Sequence, residues 1–73
     1  MNRFADYFSH YVNDDTITYI GNGDISSFTV SRQNRELTVG VSFDSFVDYA
    51  VIDNAQNQIA QAMELKKVHL KPR

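Results

Sequence analysis

The side chains that could do chemistry in this chain are few and scattered. Histidine occurs only at His10 and His69, and cysteine is absent. A metal centre needs such ligands clustered at loop or helix spacing, and covalent catalysis needs a nucleophile beside a base. Neither arrangement can be drawn from two distant histidines with ordinary neighbours, so each reads as polar surface. The acids Asp14 and Asp15, and the pair Asp44 and Asp48, stand where helices would begin. Carboxylates at such positions cap free N–H groups and complement the helix dipole. They have no basic or metal-binding companion, and a capping role is the better reading. Gly21-Asn22-Gly23 is too short to cradle a phosphate and lacks a following lysine. The sequence therefore predicts a non-catalytic chain with no cofactor, no metal and no small-molecule ligand.

The elements that would position these residues follow from periodicity. Phe4, Tyr7, Phe8 and Tyr11 recur at helical spacing, with Asn2 as a possible N-cap and Asn13-Asp14-Asp15 as a stop or a second cap. Four aromatics on one stripe suit a lid over a core and could equally form a partner-binding face. Residues 14–25 leave two readings open. Thr16 to Ile20 is β-branched and Asn22-Gly23 favours a tight turn, which suits a hairpin into Ile25. An aspartate cap and Gly21 in a left-handed terminal position suit a short helix equally well. Beyond this point the pattern is clear. Phe28 and Val30 alternate with Thr29 and Ser31, the polar run Arg32 to Arg35 turns the chain, and Leu37, Val39, Val41 and Phe43 alternate with Thr38, Gly40 and Ser42. From about Asp48 the period changes, and Ile52, Ala55, Ile59, Ala62 and Met63 mark a helix of about four turns. Val68 and Leu70 then alternate with Lys67, His69 and Lys71 in a last strand that ends at Pro72.

The expected fold class is α+β, in the order α-β-β-α-β, with a three-stranded mixed sheet and helices on one face. The last strand should run parallel to the second and lie beside the first. Phe28, Val30, Leu37, Val39, Val41, Phe43, Val68 and Leu70 should form the covered face. Thr29, Ser31, Thr38, Ser42, Lys67, His69 and Lys71 should form a polar, open one. That open face has hydroxyls where an RNA-binding sheet would stack rings, and no GxxG clamp is present. Direct nucleic-acid binding is not expected.

Size and charge set further bounds. At 73 residues the chain supports one small domain spanning 1–73, and a chain of this size buries only about 60% of its unfolded surface. Its 42% hydrophobic and 22% charged content argue against disorder. No apolar run approaches the roughly 20 residues of a membrane span, and MNRFADYFSHYV lacks a signal-peptide core. A soluble, cytoplasmic protein is expected. The net charge of −2 conceals an asymmetry, because Lys66, Lys67, Lys71 and Arg73 close the chain with no acid among them. Such a tail could touch phosphate. Lysines on an edge strand, however, chiefly keep that edge soluble.

FTVSRQNRELTVGVSF, the helix IDNAQNQIAQAM and the closing VHLKPR together resemble the N-terminal module of PolC-type bacterial DNA polymerase III α subunits. Phe28, Val30, Arg35, Leu37, Val39, Ile52, Ile59, Val68 and Leu70 fall where that pattern places them. The resemblance implies a truncated KH-like module at the start of a longer polymerase chain. It implies docking to the tau subunit of the clamp loader during DNA replication, with polymerase and 3′–5′ exonuclease chemistry in later domains. A chain that stops just after its last strand fits an excised domain. The resemblance carries no contact residues. The aromatics that the core does not need, Tyr19, Phe46 and Tyr49, together with the start of the long helix, are the candidate partner-binding positions. Two other readings use the same residues: a small nucleic-acid-binding domain acting through the basic last strand, and a free-standing protein that dimerises through a sheet edge.

Overall fold

The computed structural model describes residues 3–72. Their order is α1 (Phe4–Phe8), α2 (Asp14–Ile20), β1 (Asp24–Ser31), β2 (Glu36–Ser42), α3 (Tyr49–Ala62) and β3 (Lys67–Pro72). The fold is thus α+β with a three-stranded mixed sheet, as the periodicity predicts, and it carries one further short helix.

That helix resolves the ambiguity over residues 14–25. Asn13 caps α2, its side chain accepting from the Thr16 N–H at 2.9 Å, while its own N–H donates to Gln58 of α3 at 2.8 Å. Thr16 and Ile20 turn inward, and burial overrides the β preference of this run. Gly21 is the last-turn residue, but it is right-handed with φ −60, not left-handed. Its carbonyl accepts from the Ala5 N–H at 3.0 Å, and the Gly23 carbonyl accepts from Phe4 at 2.8 Å. No hairpin leads into Ile25; that residue belongs to β1. The proposed Asn2 cap lies outside the described residues. At the start of α1, the Arg3 N–H donates to Asp6 Oδ2 at 3.2 Å.

The sheet order is β1-β2-β3, with β1 antiparallel and β3 parallel to β2. The last strand is parallel to the second as expected, but it lies beside the second and not beside the first. Arg35 explains the placement. Its carbonyl accepts from Lys66 N–H at 2.8 Å and from Lys67 N–H at 3.4 Å, and its guanidinium donates to the Glu64 carbonyl. The hairpin turn thereby seizes the chain leaving α3 and starts β3 opposite Glu36. Helix α3 begins on Asp48, whose carboxylate accepts from Ala50 N–H at 2.9 Å. It ends in a Schellman motif: Leu65 N–H donates to the Ala60 carbonyl at 2.8 Å, Glu64 N–H donates to Gln61, and Glu64 takes the left-handed position at φ 56. Ala62 and Met63 therefore fall on the unwinding end and are exposed, outside the core where the periodicity put them.

The core joins Phe4, Phe8, Val12, Ile20 and Ile25 to Leu37, Val39 and Val41 of β2, Ile52, Ala55 and Ile59 of α3, and Val68 and Leu70 of β3. Phe28 and Val30 do not join it, being 45% and 63% exposed. They pair with Val39 and Leu37, so they sit on the helix-bearing face. The short α1 meets the middle of β1 through Tyr7 and Phe8, whose rings lie 5.1 and 6.2 Å from that of Phe28. The far half of β1 projects beyond the helical layer.

Gly23 is required by close approach. A Cβ there would lie 2.6 Å from the Phe43 ring and 2.7 Å from Val41 Cγ2. Gly23→Ala is therefore expected to destabilise the fold by about 1–3 kcal/mol. Urea titration should show a lower midpoint at unchanged slope.

Candidate partner interface

No catalytic arrangement forms among the described residues. His10 is exposed beyond α1, whereas His69 on β3 lies 3.2 Å from Glu36 on β2, and no group of three potential metal ligands exists among the described residues. Asp48 serves as the α3 cap. Asn13 takes the cap of α2, which leaves Asp14 and Asp15 in its first turn, where they favour the positive end of the helix. Among the described residues the polar sheet face carries Thr29, Thr38, Lys67, His69 and Lys71 and no Phe, Tyr or Trp ring. No described helix is long and apolar enough to cross a membrane.

What the fold does present is exposed aromatic surface. Phe46 is 90% exposed, Tyr49 72% and Tyr19 70%. Chain direction explains why. The irregular stretch 43–48 carries the chain from β2 to α3 and holds Phe46 away from the core. Tyr19 lies on the outer side of α2, whose inner side is spent on Thr16 and Ile20.

The three aromatics do not act together. Tyr19 and Phe46 line one groove of about 510 Å³ with Ser45, Val47, Asp48 and Val51. Val47 and Val51 are half-buried against the core and supply an apolar floor. Tyr49 instead lines a separate polar depression between α3 and β3, with Asp53, Gln56, Lys66, Lys67 and His69. The groove continues past Tyr19 on both sides, toward Asp44 and Phe43 in one direction and toward Asp15 and Asn54 in the other. Asp15, Asp44 and Asp48 therefore edge this surface, and among the described residues no lysine or arginine lines it.

A valine floor, two exposed aromatic walls and an acidic rim can do one thing chemically. They can take up an apolar side chain and favour cationic neighbours around it. Val47 and Val51 were invisible to periodicity, because Val47 lies in the irregular connection and Val51 falls beside the buried stripe of α3.

A family model described as DNA polymerase III polC-type N-terminus I matches residues 3–71. No curated protein and no solved structure matches the chain.

Proposed function

We propose, from the premise that this chain belongs to the DNA polymerase III polC-type N-terminus I family, that it is a docking module without chemistry of its own. In this reading it tethers the polymerase α subunit to the tau subunit of the clamp loader. The observation that carries the proposal is the Tyr19–Phe46 groove, apolar at its floor and acidic at its rim. The tau segment that fits it has an aliphatic or aromatic anchor with lysine or arginine on either side. The anchor would supply most of the affinity, and the rim would orient and accelerate the encounter.

A nucleic-acid reading finds less support. The lysines of β3 share their face with hydroxyls and with Glu36, which engages His69. Phosphate-tracking sheets combine such charges with stacking rings.

Calorimetric titration of the chain with the C-terminal part of tau tests the proposal. A modest affinity that weakens between about 50 and 200 mM salt is expected, because exposed charge pairs are screened over that range. Binding that is unmeasurable at both salt concentrations would refute the assignment of tau.

A further inference from the structure

The two edges of the sheet are treated differently. The β3 edge is protected. The Leu70 N–H, which faces away from β2, donates to Gln56 Oε1 of α3 at 2.9 Å, and Lys67 and Lys71 place charge along the strand. Pro72 then offers no N–H. Such devices keep an edge from pairing with another chain.

The β1 edge has none of them beyond its start. Arg3 bridges Asp24, and an irregularity between Ile25 and Ser27 interrupts the ladder there. From Ser27 to Ser31 the strand carries no charge and no proline, and among the described residues nothing pairs with its outer side. Phe28 and Val30, on the same five residues, are both exposed. An uncharged edge with an apolar flank is a template for another strand.

We infer that this edge pairs antiparallel with the same edge of a second copy, about a two-fold axis at Thr29. Three features select a copy of the chain as the occupant. Ser27-Phe28-Thr29-Val30-Ser31 is symmetric in chemistry about its centre, so the axis sets Phe28 against Val30 twice and Ser27 against Ser31 twice. Such self-complementarity is what an isologous contact requires. Acid at one end of the strand, Asp24, and base at the other, Arg32, approach each other's opposites in the antiparallel arrangement and their likes in a parallel one. The partly exposed Tyr7 ring beside Phe28 extends the apolar area that pairing would cover. The contact is small, so the association is weak and reversible. It lies away from the Tyr19–Phe46 groove and does not depend on the function assigned to that groove.

Sedimentation equilibrium of the chain tests this. The average mass should rise from 8.4 kDa toward twice that value with a midpoint on the order of 100 µM. Val30→Lys, at an exposed position, should abolish the rise while leaving the amide spectrum of the core unchanged. Thr29→Lys and Thr29→Glu should each block self-association through like charges across the axis, and mixing the two chains should restore it. A monomer up to about 1 mM would overturn the inference. So would undiminished association of Val30→Lys, failure of the mixed Thr29 variants to associate, or a tau segment that shifts the β1 resonances of a chain that stays monomeric.

Discussion

Phe4→Ala should lower the free energy of unfolding by about 3–5 kcal/mol, the largest effect of any single truncation in the first third of the chain. Phe4 is fully buried, its ring lies 4.8 Å from that of Phe8, and its N–H is tied to the Gly23 carbonyl at 2.8 Å. Truncation leaves a cavity where α1 and the Gly21–Gly23 turn meet. The five residues of α1 cannot hold a helix by themselves, so they cannot close around it. A domain of this size is stable by only about 5 kcal/mol, so from a few per cent to about half of the population should be unfolded at 25 °C. Circular dichroism with chemical denaturation would show it directly. Tyr7→Ala, one residue from the buried stripe and 44% exposed, should cost far less.

The second large effect is on binding. Phe46→Ala and Tyr19→Ala should each weaken association with tau by about thirtyfold or more, the signature of anchors at the centre of a contact. Neither should move the unfolding midpoint appreciably, since both side chains are already in solvent. Tyr49→Ala provides the contrast. That ring lines the polar depression beside β3 rather than the groove, and its removal should change affinity by less than about threefold. Loss of binding in all three alike would mean that the surface has been drawn wrongly.

These contrasts reflect what the sequence could and could not reveal. The β1–β2 hairpin and α3 were legible because each has one unbroken period and a wet opposite face. Periodicity finds which face a residue is on, but not whether anything covers it. Alternation therefore places Phe28 and Val30 on the helix-bearing face, as found, but the core does not reach them, because α1 is too short to extend past Phe28. Strand position failed for a similar reason. The choice of β2 over β1 as neighbour of β3 turns on Arg35, through a backbone carbonyl and a guanidinium that no pattern of apolar residues encodes. At α2 local chemistry leaves hairpin and helix equally open, and the decision rests on Asn13, Gln58 and the burial of Ile20. Of the interface, the exposed aromatics could be named one by one. The groove could not, since its floor joins Val47 from an irregular connection to Val51 from a helix.

The most direct test is an NMR titration of the isotopically labelled chain with the C-terminal part of tau, following every amide. Shifts should concentrate at Tyr19, Phe46, Val47 and Val51 and fade toward β3 and the outer edge of β1. Shifts absent up to high micromolar tau, or gathered on the Lys67–Lys71 face instead, would contradict docking at the Tyr19–Phe46 groove.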